Sequence, residues 1–278
     1  MSLDRRKGLV KLARKFDALI ISDDVYDLLQ WSLRKPVSCD RPHEMRLPRL
    51  CDIDRAMGSS ANDPGGFGYA VSNGSFTKIA GPSVRTGWAE ASPAFVAGLA
   101  HAASTRSGGA PSQLCAAILS EVVSNGEMQR FVDETLRPAL QRRHRLMMDA
   151  IGRHILPLGA NLCVSSLKGG DVFGGYFVWL DIKTEFSTAF IADVLKSEED
   201  IVIGPGQMFT VHGDETSASF HQNIRLSYSW EAEEDIGDGI RRIGKTLLRM
   251  QENKKYYYEL ASASSSIGEH NHSRPQKF

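Results

Sequence analysis

The sequence has few features of the kind that bind metals, cross membranes or attract nucleic acids. Its four cysteines are widely spread over 278 residues, with no Cys-x-x-Cys pair and no histidine at metal-ligand spacing. We therefore expect free thiols and no metal site. No apolar run reaches the roughly 18 residues of a membrane-spanning helix. The formal net charge is zero, so we expect neither a nucleic acid nor a membrane as a partner. These absences favour a cytoplasmic globular protein.

A loop rich in glycine and hydroxyl side chains carries the most informative group of residues. It follows the apolar segment Tyr69–Ser72 and contains Ser75, Lys78 and Arg85. A lysine that is fixed at the end of a strand and partly desolvated can form a Schiff base with a carbonyl. A serine and an arginine beside it can bind a phosphate. A surface lysine and arginine in an ordinary loop is the alternative, and the spacing alone does not exclude it.

Two carboxylates follow an apolar run near the N-terminus. The run Ala18–Ser22 predicts a parallel strand that is covered on both faces. Asp23, Asp24 and Tyr26 come directly after it. Ligands of open α/β sheets collect beyond the carboxyl ends of such strands, so these side chains are candidates for a site. Capping of a following helix explains the carboxylates equally well.

Periodicity along the rest of the chain predicts further helices and strands. Helices are predicted over residues 3–16, 93–103, 114–123, 127–151, 187–196 and 232–250. Strands are predicted over residues 88–91, 174–181, 201–206 and 223–229. In the last of these, Arg225 points away from the apolar side chains of Ile224 and Leu226, toward solvent or a cleft. The segment 32–66 predicts a long loop with a short strand at Cys51–Asp54.

Three motifs occur in a fixed order along the chain. They are Asp-x-x-Tyr at 23–26, Ser-x-x-Lys followed by Arg at 75–85, and Asn-x-Arg-Leu-Ser at 223–227. Together they resemble the class I/II aminotransferases, which depend on pyridoxal 5'-phosphate (PLP) and have fold type I. The resemblance runs from about Leu3 to Met250. It implies an α/β chain with a partial PLP-transferase fold type I, that is, an incomplete large-domain sheet plus a C-terminal α+β small domain.

The resemblance also implies a cofactor site. Lys78 would form the Schiff base with PLP and move a proton between the substrate and the cofactor. Asp23 would pair with the pyridine nitrogen, because it precedes Tyr26 by the family's three-residue step, and Tyr26 would bond the phenolic oxygen of the ring. Ser75 and Arg85 would hold the phosphate.

The implied reaction transfers an amino group between an α-amino acid and a 2-oxo acid. Arg225 would form a bidentate pair with the substrate α-carboxylate, a planar geometry that lysine cannot reproduce. Family members are usually dimers, so a homodimer is the expected assembly. Two alternatives stay open: a PLP-dependent lyase or synthase that uses the same lysine, and a non-catalytic remnant that keeps the small domain for association.

The family pattern is incomplete in this sequence. No glycine-turn phosphate site, ring-stacking aromatic residue or Asn-Pro turn precedes the aspartate strand. The resemblance therefore implies the C-terminal half of the large domain over 1–126, a linking helix and small domain over 127–253, and a disordered tail over 254–278. Strands without lateral partners have open edges and an uncovered apolar face. We therefore expect weak PLP binding and poor solubility of this chain alone.

Overall fold

The computed structural model describes residues 1–32, 47–102, 112–162, 165–167, 170–213 and 219–271. Their contacts divide the chain into two compact units, which are described separately. The first unit comprises residues 1–141 and 164–175, and the second comprises residues 142–163 and 176–278. Among the helices of these described ranges, none combines the length and the hydropathy needed to span a membrane.

The first unit contains a three-stranded sheet of order β1-β3-β4. β1 (Ile20–Asp23) pairs in parallel with β3 (Ala70–Ser75), and β4 (Gly87–Glu90) pairs antiparallel to β3. All three strands are where the apolar runs predict them. The parallel pair brings the carboxyl ends of β1 and β3 to the same edge of the sheet.

The environment of β1 differs from the prediction of a strand covered on both faces. Burial alternates along it: Ile20 packs against the apolar core of the first unit, whereas the side chain of Ile21 is 71% exposed. Within the described residues, β1 pairs with β3 along one edge only. An uninterrupted apolar run cannot distinguish one covered face from two, and here one is covered.

A second three-stranded sheet in the first unit joins distant parts of the chain. Its order is β2-β7-β6. β2 (Gln30–Trp31) pairs antiparallel to β7 (Gly170–Gly174), which also pairs antiparallel to β6 (Ser165–Leu167). This pairing explains why residues 164–175 belong to the first unit.

A buried carboxylate joins two helices to the start of β3. The helix Leu3–Phe16 supplies Arg14, whose Nε donates to Oδ1 of Asp54 at 2.8 Å. Asp54 lies on the helix Leu50–Ala56, and its Oδ2 accepts a hydrogen bond from the backbone N–H of Tyr69 at 2.8 Å. The charge-assisted bonds hold both helices against the sheet.

The helix Leu50–Ala56 corrects the prediction of a strand at Cys51–Asp54. Its apolar side chains point to one buried core. Asp52 accepts from the backbone N–H of Arg49, which closes the first turn as part of a capping box. The helix is only seven residues long and begins with this local contact in a Pro- and Arg-rich segment, so hydrophobic periodicity did not predict it. The predicted loop between 33 and 46 lies outside the described residues.

The remaining helices of the first unit largely follow the predictions. They are Pro93–Ala100, Gln113–Ser124 and Glu127–Phe131. Ser112, which precedes the second of these helices, has a left-handed backbone, and its side chain makes no capping hydrogen bond. Gly126 separates the second and third of these helices with a φ of 78°, a conformation that favours glycine.

The long predicted helix over 127–151 is interrupted by a π-helical turn. The turn spans Val132–Leu136, and the α-helix resumes as Arg137–His154. The division between the two compact units falls after Gln141 and differs from the boundary at residue 126 that was expected from the sequence. Nε2 of Gln141 donates to the buried carbonyl oxygen of Ser32 at 2.6 Å, which holds this part of the helix in the first unit.

The second unit is built on a four-stranded sheet of order β5-β8-β10-β9. Every neighbouring pair is antiparallel. The strands are β5 (Asn161–Leu162), β8 (Phe177–Asp181), β9 (Gly204–Pro205) and β10 (Asn223–Ser227). The predicted strand over 174–181 is divided by Gly175, whose φ is 76°. The predicted strand over 201–206 is shortened to two residues.

Two helices cover the apolar face of this sheet. They are Thr188–Glu199, capped by the Ser187 hydroxyl, and Glu233–Glu252. Ile224 and Leu226 of β10 are buried, as the alternation predicts. Arg225, between them, points to the other side.

The prediction of a disordered tail is wrong over residues 254–271, which form the helix Lys254–Asn271, and its last seven residues, 272–278, lie outside the described residues. Tyr257 is 2% exposed, and its ring lies 6.4 Å from that of Phe186. Glu185 accepts from the ammonium of Lys254 at 2.7 Å and from the hydroxyl of Tyr258 at 2.9 Å. Tyr257 is therefore a packing residue of this helix, which the polar composition of the residues that follow it obscured.

A buried histidine predicts acid sensitivity of the second unit. His144 stacks on Tyr228 with ring centroids 4.9 Å apart, and burial lowers its pKa from the ordinary 6.5 to about 4. The unfolded chain therefore binds a proton near pH 6.5 that the folded chain does not. We expect the free energy of unfolding to fall between about pH 6.5 and pH 4, by about 3 kcal/mol.

Urea denaturation of the wild type and of His144→Phe across this pH range measures the effect. The variant should lose this part of the pH dependence, whereas His221→Gln, which changes an exposed histidine, should keep it. Equal pH dependence in wild type and His144→Phe would contradict the assignment.

Candidate functional site

The carboxyl ends of β1 and β3 carry four of the residues that the sequence singles out. Asp23 is the last residue of β1 and lies opposite Asn73 of β3. Ser75 ends β3, and its Oγ accepts from the backbone N–H of Thr77 at 3.1 Å. This bond starts the single 3₁₀ turn Phe76–Lys78. The cap thus fixes the turn on which Lys78 leaves the sheet.

Lys78 and Tyr26 meet at this edge. The ammonium nitrogen of Lys78 lies 5.5 Å from the centroid of the Tyr26 ring, within the range of a cation–π contact. Both side chains are half-buried. Gly175 lies beside the same ring: a Cβ at this position would be 3.3 Å from Cγ of Tyr26. The absence of a side chain at Gly175 leaves space for the tyrosine.

The two aspartates after the strand have different surroundings. Asp24 accepts hydrogen bonds from the hydroxyls of Ser22 at 2.8 Å and Ser72 at 2.7 Å, in a half-buried position. Asp23 is exposed and accepts a hydrogen bond from Nδ2 of Asn73 at 3.1 Å. Asp24 is thus held by the sheet itself, while Asp23 presents its charge at the edge where Lys78 lies.

Arg85 does not join this group. It follows the 3₁₀ turn Pro82–Val84 in a left-handed conformation with φ of 43°. Its Nη1 donates to the carbonyl oxygen of Pro82 at 3.1 Å, and the side chain is exposed. The guanidinium therefore bonds to its own loop rather than to Ser75.

A cavity of about 240 Å³ lies next to the aspartate strand. Asp23, Tyr26 and Gly175 line it, and Lys78 is not among its lining residues. The cavity is open to solvent. It therefore adds room beside Asp23 and Tyr26 but does not enclose the lysine.

The turn that carries Lys78 is supported by two aromatic rings. Trp88 of β4 lies across Gly74, where any Cβ would collide with the indole. The same indole packs edge to face on Phe76, with centroids 4.9 Å apart. A larger residue at Gly74 would displace Trp88 and, with it, the turn. Sequence analysis did not identify these supports, and the Asn-Gly pair at 73–74 was their only visible signal.

A cluster near β4 has the residue types of a metal site, but an arginine side chain bonds its carboxylates. Cys51, Asp52 and Glu90 place ligand atoms within 4.8 Å of one another. Arg49 donates to Asp52 at 2.9 Å and to Glu90 at 2.6 and 2.8 Å, and these bonds hold the pKa of Glu90 below its ordinary value. Burial raises the pKa of Cys51 to about 11. The guanidinium therefore satisfies the carboxylates that a metal would need.

In the second unit, Arg225 lies between two aromatic rings. Its guanidinium carbon is 4.1 Å from the ring centroid of Phe177 and 4.3 Å from that of Phe209. Neither phenylalanine was singled out by sequence analysis, because each belongs to a segment with an ordinary apolar pattern. The side chain is half-buried, on the face of β10 opposite Ile224 and Leu226, as predicted.

The contrast between the two aspartates gives a direct test of the site's structure. We expect Asp24→Ala to lower the free energy of unfolding by about 1–3 kcal/mol, because it leaves the buried hydroxyl of Ser72 without its acceptor. Asp23→Ala removes an exposed charge and should change stability by less than about 0.5 kcal/mol. Urea denaturation of the matched pair measures both values. Equal losses would show that Asp23 is also structural.

Comparison with known proteins gives the family. The model of the family "aminotransferase class I and II" matches residues 1–243. An uncharacterised protein of Saccharomyces cerevisiae is 33% identical over 244 residues, which cover 87% of this chain and 51% of that protein. The 2-aminoadipate transaminase of Thermus thermophilus is 25% identical over 245 residues, which cover 88% of this chain and 53% of that enzyme. This chain spans about half the length of these curated relatives.

A solved structure gives the fold. The α-aminoadipate aminotransferase LysN of Thermus thermophilus, complexed with N-(5'-phosphopyridoxyl)-L-leucine, matches with a TM-score of 0.66 at 22% identity, over 90% of this chain and 55% of that chain. The fold is a partial PLP-transferase fold type I, with an incomplete large-domain sheet and a C-terminal α+β small domain. With the family match over most of its length, this chain belongs to the class I and II aminotransferases.

Proposed function

We propose that this chain carries part of the active site of a PLP-dependent aminotransferase, which transfers an amino group between an α-amino acid and a 2-oxo acid. The observation that carries the proposal is the contact of Lys78 with Tyr26 at the carboxyl edge of β1 and β3. An exposed carboxylate, Asp23, lies at the same edge. Family membership supports amino-group transfer rather than the lyase, synthase or non-catalytic alternatives.

The residues at the edge have the chemistry that PLP requires. When bound, PLP supplies a pyridinium ring that accepts electrons from the substrate. Asp23 would hold a proton on the pyridine nitrogen, since an opposite charge nearby favours the protonated form. Asp24 is less suited to this role because Ser22 and Ser72 occupy its two oxygens. The hydroxyl of Tyr26 would bond the phenolic oxygen of the ring.

Two further groups would bind the phosphate. The Ser75 hydroxyl keeps a proton to donate while its oxygen accepts from Thr77. Arg85 would supply a charge-assisted bond, which requires its guanidinium to exchange the carbonyl of Pro82 for the phosphate. Because this side chain is exposed and bonds to one neutral oxygen, the exchange breaks no ion pair.

Lys78 would attach the cofactor and then act on the substrate. Once released, its neutral amine would take the proton from the substrate α-carbon and deliver it to the C4' carbon of the cofactor. Arg225 would bind the α-carboxylate through two parallel N–H donors. A homodimeric assembly and a cytoplasmic location stay predictions.

The Lys78 assignment is tested by chemical labelling. Incubation with PLP, reduction with borohydride and peptide mapping should place the pyridoxyl group on Lys78, because the amine is held beside Tyr26. Lys78→Ala should lose the label. Lys11→Ala, which removes an exposed lysine of the first helix, should keep it. Equal labelling of Lys78→Ala and wild-type protein would refute the assignment.

A fusion protein tests the expected weakness of this chain alone. Among the residues that the structure describes, Ile21 is exposed and β1 pairs along one edge only, so the Asp23 side of the sheet is open to water, which screens its charge. Adding the part of the Saccharomyces cerevisiae relative that lies outside its matching segment should raise solubility and PLP retention after gel filtration. Amino transfer to a 2-oxo acid should then appear in the fusion. Full activity of residues 1–278 without it would contradict this expectation.

A further inference from the structure

We infer that Phe177 and Phe209 are positioning residues, which hold the guanidinium of Arg225 by stacking and so leave its N–H donors open to a carboxylate. The inference deepens the role of Arg225 in the proposed function and rests on it. It concerns the two rings, to which neither the motifs nor the family match assigns a role.

Both rings lie close to the guanidinium. The guanidinium carbon of Arg225 lies 4.1 Å from the centroid of one ring and 4.3 Å from the other. In the part of the chain that the structure describes, no carboxylate or carbonyl oxygen accepts a hydrogen bond from this guanidinium. Charged side chains that are removed from water are ordinarily paired. Here the aromatic faces take the place of a counter-ion.

Stacking and ion pairing have different consequences for a ligand. The π faces attract the cation above and below its plane, while the N–H groups point outward in the plane. A carboxylate partner would instead occupy those N–H groups and neutralise the charge. Two rings therefore orient Arg225 without using the donors that a bidentate carboxylate needs.

Both rings are held by the sheet and its neighbouring turn. Phe177 lies on β8, opposite Ser227 of β10, and Arg225 is paired with Trp179 two residues further along β8. Phe209 ends the 3₁₀ turn that follows β9. Its ring packs edge to face on Trp179 with centroids 5.3 Å apart. The rings are thus fixed independently of the arginine.

The turn that carries Phe209 is fixed by buried polar contacts. The hydroxyl of Thr188, a fully buried residue, donates to Oε1 of Gln207 at 2.8 Å and accepts from the backbone N–H of Gly206 at 3.3 Å. A Cβ at Gly206 would collide with the carbonyl oxygen of Phe220. Such a close approach requires glycine, and it sets the position from which Phe209 reaches Arg225.

Ring-current shifts measure the stacking without cofactor or turnover. In the full chain with labelled arginine, the Arg225 side-chain resonances, identified by their loss in Arg225→Lys, should lie upfield of those of free arginine. Phe209→Leu should reduce this displacement by about half, since one of two faces is lost, and Phe209→Tyr should retain it. Phe220→Leu is the matched control, because Phe220 contacts Trp179 but is not stacked on Arg225.

Titration with acetate, followed through the same resonances, measures the consequence. We expect Phe209→Leu to raise the Kd for acetate about fivefold, and Phe209→Tyr and Phe220→Leu to leave it near the wild-type value. An unchanged displacement or an unchanged Kd in a folded Phe209→Leu protein would overturn the inference. Since no step requires PLP, failure of labelling at Lys78 would refute the proposed function and leave this result interpretable.

Discussion

The parallel pairing of β1 with β3 is the constraint on which the candidate site depends. Its register sets Asp23 opposite Asn73, and one turn later the chain presents Lys78 beside Tyr26. These residues are about fifty positions apart in the sequence and meet only because parallel strands end at the same edge. A shift of the register by one residue would turn Asp23 to the other face of the sheet. The backbone hydrogen bonds between β1 and β3 therefore determine which side chains meet at the candidate site.

Charges in this protein are held in two ways, and the difference separates structure from candidate function. Asp24 and Arg49 have their hydrogen-bonding groups satisfied by neighbours in the fold. Asp23 is exposed with one amide contact, and Arg225 is held by ring faces. Groups of the first kind stabilise the fold and have little capacity left for a ligand. Groups of the second kind keep that capacity at some cost in stability.

The fold was largely predictable from local patterns, but the contacts within the site were not. Apolar runs and alternation gave β1, β3, β4 and β10, and the motif spacing selected Asp23 over Asp24, a choice that the hydroxyls of Ser22 and Ser72 support. The helix at Leu50–Ala56 was missed because its first turn depends on a capping contact of Asp52. The conformation of Arg85 and the stacking of Phe209 on Arg225 are set by loop geometry. Loops have no hydrophobic periodicity from which such contacts could be predicted.

The open side of β1 links stability to the candidate chemistry. Ile21 is exposed on the strand that ends at Asp23, and burying such a side chain is worth about 2 kcal/mol. A covering segment would therefore add stability to the same strand whose carboxylate, in the proposed function, would need a drier surrounding to act on a pyridine nitrogen. Burial of Ile21 and exclusion of water from Asp23 occur together, because the two residues lie two positions apart on the same side of β1. If Asp23 has the role proposed for it, any polypeptide that covers Ile21 should thus strengthen its interaction with PLP as it stabilises the sheet.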